Sequence, residues 1–189
     1  MRLDYTQRMA WKRVVAYILG SEGQMTHIVA GNNAPGFSLY DSNGKDHSLS
    51  MLLEHGPVVA AFFKVSCPVC QYTFPFLERL HQRYGKTATF LGISQDDAKA
   101  TKKFADQYGI TFPMPLDESA ENYPASNAYG LTNVPTVFLI EPDSSIKVVC
   151  NGFDKKGLEE IAAFLADRQH SIPAALFRTD EKIPDHKPG

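Results

Sequence analysis

A chain of 189 residues, 43% hydrophobic and 21% charged, has the size and composition of one globular domain with short extensions. Nineteen Lys and Arg against 21 Asp and Glu leave a net charge of −2, without the basic excess that a nucleic-acid-binding face carries. No apolar run approaches the roughly 18–20 residues of a membrane-spanning helix, so neither nucleic acid nor membrane is expected as a partner.

Residues 9 to 19 read as a short helix. Its apolar part, Val14 to Leu19, stops at Gly20 and sits at or below the lower limit of about 7 residues for an export-signal core, so residues 1–29 form a helical extension and the expected compartment is cytoplasmic. Residues 31 to 36 are loop by their turn chemistry, and Asn43-Gly44 after Phe37 to Tyr40 signals a hairpin. Val58 to Val65 is nearly continuous in apolar residues, as expected of a central strand covered on both faces. A helix follows over 68 to 84, with Leu77, Leu80 and Tyr84 at helical spacing. Thr87 to Ile93 reads as a strand, and Asp96 or Asp97 caps a helix that Gly109 ends. Phe112 to Leu116 is a short extended piece interrupted by Pro113 and Pro115, and 122 to 129 a brief helix. Thr136 to Ile140 and Ile146 to Cys150 make an antiparallel pair, and Asp154 caps a last helix with Leu158, Ile161, Ala162 and Leu165 on one face. This alternation specifies an α/β fold with a mixed central sheet flanked by helices. From about residue 169 the chain turns polar and proline-marked, the pattern of an extended or disordered tail.

The chemistry concentrates at Cys67-Pro68-Val69-Cys70, where the buried strand gives way to a helix. Unpaired N–H groups of the first helical turn point toward Cys67 and favour negative charge there, which for a cysteine means the thiolate. Pro68 suits the first turn because its missing N–H costs nothing. Cys67 at the helix mouth is the expected nucleophile, and Cys70, one turn inside, is placed to resolve the mixed disulfide. Such a dithiol exchanges two electrons and needs no cofactor. Lys64 adds to the effect if the chain bends to bring it round to the same side. A structural zinc site usually needs four ligands, and the only other cysteine is Cys150, with no His-x-x-x-His pair, so no metal is expected. Cys150 reads as a small buried apolar residue and His81 as solvent-facing.

Phe62 to Cys70 resembles the active-site entry of the thioredoxin superfamily. Pro75 is similar to the proline of that family's long active-site helix, and Val134-Pro135-Thr136 matches its cis-proline loop. Ala34 to Leu39 with the Asn43-Gly44 turn, Gly92 to Asp97 and Tyr108 to Pro113 are similar to the hairpin and insertion shared by TlpA-like reductases and the alkyl hydroperoxide reductase/thiol-specific antioxidant group. The resemblance implies a thioredoxin fold over residues 30–168, with an N-terminal β-hairpin and a central αβ insertion. It further implies a protein disulfide reductase, with Val134 and Pro135, beside Pro68, Val69 and Lys64, supporting disulfide-containing clients. A thioredoxin reductase-like or other thiol donor would reload it. Three positions depart from the pattern. Ser66 replaces a bulky Trp, Ala61 stands where thioredoxin has a buried Asp, and Thr73 replaces a Glu.

The rival enzyme is a peroxiredoxin-like thiol peroxidase, whose cysteine follows a Thr or Ser by three residues and a Pro by seven. Counted from Cys67 those positions hold Lys64 and Ala60, and from Cys70 they hold Cys67 and Phe63, so neither register supplies a pocket that polarises a peroxide. A non-catalytic binding module on the same scaffold would not require an intact dithiol.

Overall fold

The computed structural model describes residues 28–173 and 175–189; the helix expected over 9 to 19 lies outside them. A small hairpin opens the fold, β1 (Ser38–Tyr40) pairing antiparallel with β2 (Asp46–Ser48). Its turn is longer than the Asn-Gly pair alone would make it, because the Asp41 carboxylate accepts from the Asn43 and Lys45 N–H groups at 2.8 and 3.1 Å. Helix α1 (Leu49–Leu53) leads into β3 (Val58–Phe63), all six of whose residues are buried. Next come α2 (Pro68–Tyr84), β4 (Thr89–Ser94), α3 (Ala98–Tyr108), a single 3₁₀ turn, and α4 (Pro124–Ala128). The chain then forms β5 (Thr136–Ile140), β6 (Ile146–Asn151), β7 (Phe153–Asp154), α5 (Lys155–Arg168) and β8 (His186–Lys187).

The main sheet has the order β4-β3-β5-β6, with β3 and β4 parallel and the other pairs antiparallel. Alternation along β3 divides the core in two. Val59, Ala61 and Phe63 face α2 and α5, packing with Phe74, Leu77, Leu80, Leu158, Ile161 and Leu165. Val58, Ala60 and Phe62 face the other way, among Leu39, Leu49, Tyr129 and Phe138. Burial on both faces is why this strand lacks polar residues.

Asp97 caps α3, its carboxylate accepting from Ala100 N–H, and Asp154 caps α5 through Gly157 N–H. The extended piece at 112–116 does not become a strand. It lies along the outer edge of β4, where Gly92 and Ser94 donate to the Pro113 and Pro115 carbonyls at 3.0 and 2.9 Å, but the prolines have no N–H to complete a ladder.

Two expectations are corrected. His81 is only partly exposed: its Nδ1 is buried, and its ring packs edge-on to Phe90 and Phe112 at centroid distances of 5.4 and 5.6 Å. The segment after α5 is extended, as expected, but it is docked rather than disordered. Leu176 is buried, Phe177 stacks near Phe76 and Phe153, and Glu181 takes a two-pronged ion pair from Arg79. That pair holds the Glu181 carboxyl down at about 2, chiefly through the hydrogen bonds from Arg79. β8 then pairs with β7, Lys187 opposite Phe153. Among the described residues no helix is long and apolar enough to cross a membrane.

Candidate active site

β3 delivers the chain to the mouth of α2, and a turn closed by Cys67 N–H on the Lys64 carbonyl (3.2 Å) sets the first cysteine at the N-cap. There its sulfur accepts the Cys70 N–H at 3.3 Å, one of the helix N–H groups that has no partner within the helix. Pro68 takes the first helical position. The Cys67 thiol in turn donates to the Val134 carbonyl at 3.3 Å. Val134 precedes Pro135 through a cis peptide bond, at the entrance to β5. Cys67 thus meets Val134, next to the cis proline, brought together because β3 and β5 are neighbours in the sheet.

The two sulfurs have different surroundings. Cys67 is half-buried, whereas Cys70 has no exposed surface. Burial pushes the Cys70 thiol far up from the ordinary cysteine range, and the neighbouring Cys67 sulfur and the Asp96 charge add to the shift. Both thiols are free, as is the thiol of Cys150. Cys150 is fully buried in β6 opposite Val137, and burial pushes its thiol up as well.

Val69 is half-buried, and its carbonyl accepts the Thr73 hydroxyl at 2.7 Å, so the hydroxyl that replaces the family's Glu is turned back onto its own helix. Lys64 is exposed, with its ammonium 5.8 Å from the centre of the Tyr123 ring, over the insertion. Among the described residues no cluster of three or more His, Cys, Asp or Glu is arranged to hold a metal ion.

Sequence reasoning missed Asp96 as a site residue. Its carboxylate reaches across from the end of β4 and accepts Val65 N–H at 2.8 Å, while Gln71 Nε2 donates to the Val65 carbonyl at 2.9 Å. Val65, two residues before Cys67, is therefore held at both its N–H and its carbonyl. The signal was the doubled acid at 96 and 97: one caps α3, which leaves the other free for a second task.

A sequence model of the AhpC/TSA family matches residues 30–149. Two relatives named thiol-disulfide oxidoreductase ResA align over most of the domain. The one from Geobacillus thermodenitrificans is 30% identical over 131 residues, 68% of this chain and 73% of the relative. The one from Bacillus subtilis is 31% identical over 127 residues, 66% and 69% respectively. Among solved structures, the thioredoxin domain of a thiol-disulfide oxidoreductase from Bacteroides vulgatus superposes with a TM-score of 0.65 at 19% identity, covering 73% of this chain and 99% of that domain. That likeness establishes the thioredoxin fold.

Proposed function

The chain belongs to the AhpC/TSA family, and within that family we propose that it is a thiol–disulfide oxidoreductase that reduces disulfides in protein clients. The observation that carries this reading is the pairing of a half-buried Cys67 at a helix N-terminus with a buried Cys70 whose N–H points at the Cys67 sulfur.

The chemistry follows from the geometry. Loss of the Cys67 proton removes its hydrogen bond to Val134 O and leaves a thiolate held by the Cys70 N–H and the helix terminus. That thiolate attacks one sulfur of a client disulfide. A bond forms between Cys67 and the client, and the second client sulfur departs as a thiolate that takes up a proton. Cys70, protonated until then by its burial, gives up its proton to solvent and attacks the Cys67 sulfur, breaking the bond to the client, whose sulfur leaves as a thiolate and takes up a proton. The Cys67–Cys70 disulfide closes, the client leaves with two thiols, and two electrons have passed to it. A thiol donor of the thioredoxin reductase type would reverse the oxidation of the pair. The released Val134 carbonyl, on the open edge of the loop that enters β5 and not on the strand itself, is the docking point for an extended client backbone. Lys64 and Val69 flank that approach.

The peroxidase reading has less support. The Thr73 hydroxyl is spent on Val69 O, and neither register places a hydroxyl beside a cysteine as a peroxide site needs. A reduction potential near or below about −250 mV would fit the cytoplasmic reductant read from the sequence, and one above about −180 mV an oxidant. The direct test is reduction of an insulin-type disulfide with dithiothreitol as donor. Wild-type protein should accelerate it and Cys67→Ser should not; a Cys67→Ser protein as fast as wild type would remove the proposed nucleophile.

A further inference from the structure

The docked segment after α5 follows one stripe of the active-site helix. Arg79 holds Glu181 and the Leu176 carbonyl, Phe76 packs on Phe177, and the Tyr72 ring lies 4.4 Å beneath the Lys187 ammonium. Positions 79, 76 and 72 lie on one face of α2, each step bringing the segment closer to Cys67. Backbone bonds fix its final run: Lys155 N–H donates to the Asp185 carbonyl at 2.9 Å, and β8 pairs with β7. Gly152, at φ +74°, lies so close beneath the Lys187 carbonyl that a side chain there would collide with it.

The run ends on the loop that faces the dithiol. A side chain on Gly189 would begin 2.5 Å from the Val134 carbonyl oxygen and 2.7 Å from Asn133 Nδ2, so Gly189 already touches the atom to which Cys67 donates. Val134 N–H has no partner among the described residues. The segment is exposed at 188 and 189 and half-buried at 187, a placement that can be given up without opening the core.

We propose that residues 185–189 form a strap over the client-docking edge at Val134, and that they set specificity by making an extended protein client displace them, while small disulfides reach Cys67 directly. This rests on the oxidoreductase reading above and adds a selection among its substrates. The strap is held at the surface and not through the core: by the glycine contact, one cation–ring contact, a two-residue ladder, the Lys155–Asp185 backbone bond and a hydrogen bond between His186 Nε2 and the Asn151 carbonyl at 3.0 Å.

Two variants test it. Gly189→Leu cannot keep the close approach to Val134, and Lys187→Glu loses the attraction to the Tyr72 ring. Each is assayed on an insulin-type protein disulfide and on the small aromatic disulfide 5,5′-dithiobis(2-nitrobenzoate). The expected result is a kcat/KM for the protein disulfide raised by at least about threefold, mainly through KM, with the small-disulfide rate within about 1.5-fold of wild type. Unchanged or lowered protein-disulfide rates in both variants overturn the strap, and so does an equal rise on both substrates, which would mean a shield over the sulfur rather than the edge. Small-disulfide reduction that disappears in Cys67→Ser establishes the parent reading separately, so failure of the strap and failure of the oxidoreductase assignment give different patterns.

Discussion

Cys70 and Cys150 are nearly the same chemical object in this fold. Each is fully buried, each is a free thiol, and burial pushes each far above the ordinary cysteine range. What separates them is what lies next to the sulfur. Cys70 sits one helical turn from Cys67, with its N–H on that sulfur. Cys150 sits between β5 and α5, pressed so closely against Gly157 that a methyl group there would strike its sulfur. Burial alone does not make a cysteine inert or reactive. Access to a second sulfur decides which role a protonated, buried thiol takes.

The sharpest way to break this contrast is to remove members of the pair in turn. Beyond the loss of exchange expected of Cys67→Ser, by about a thousandfold or more, Cys70→Ser should leave the first attack intact and block the second. The variant should then accumulate a covalent complex with its client, visible as a mass increase that dithiothreitol reverses. Absence of any adduct under turnover would deny Cys70 its resolving role.

The second way is through pH. A thiol kept protonated by burial closes the disulfide only through its small thiolate fraction. The rate of client release from a preformed Cys67 mixed disulfide should therefore climb by about tenfold per pH unit through the neutral range. A flat profile from pH 6 to 8 would show that Cys70 is already ionised there.

Asp96 sharpens the comparison further, because its charge acts on Cys70 and not on Cys150. Asp96→Ala removes the acceptor for Val65 N–H and should slow exchange by about tenfold, consistent with about 1–3 kcal/mol for an orphaned donor. Asp96→Asn retains an acceptor oxygen but no charge. It should recover most of that rate and move the pH profile of client release to lower pH, since a negative charge no longer opposes the Cys70 thiolate. Identical profiles for Asp96→Asn and wild type would confine Asp96 to holding the backbone.

The smallest effect on activity belongs to Cys150. Cys150→Ala should leave turnover within about twofold of wild type while lowering stability by about 1 kcal/mol for the small cavity, read as a shift in the denaturation midpoint. A substantial loss of turnover would make Cys150 a third redox thiol.

The parts of this site that are legible in the sequence are those built from neighbouring residues. The continuous apolar run of β3, the Cys67-Pro68-Val69-Cys70 cap and the Leu77, Leu80, Tyr84 stripe each signal their structure within a few residues. The pairing of 134 and 135 with the dithiol came through resemblance, because nothing local joins positions 67 residues apart. Asp96 and the strap were not legible, and for the same reason. Asp96 reads as one of two equivalent caps until the fold brings Val65 to it from 31 residues away. The segment after 169 reads as solvated by composition, since it carries few apolar residues. Its docking depends on scattered anchors, Leu176, Phe177 and Ile183, meeting a stripe on α2 that composition does not reveal. His81 was misread similarly: a lone histidine on a helix gives no sign that Phe90 and Phe112 wait on the other side.

The central claim is that Cys67 and Cys70 form one two-electron couple while Cys150 stands apart. Equilibrating the protein across a series of glutathione redox buffers, then alkylating and counting modified thiols by peptide mass, tests it most directly. The account predicts that Cys67 and Cys70 lose alkylation together along a single two-electron curve, with Cys150 unchanged on that curve once the protein is unfolded for labelling. Failure of the pair to form a disulfide in any buffer, or a disulfide that includes Cys150, would contradict it.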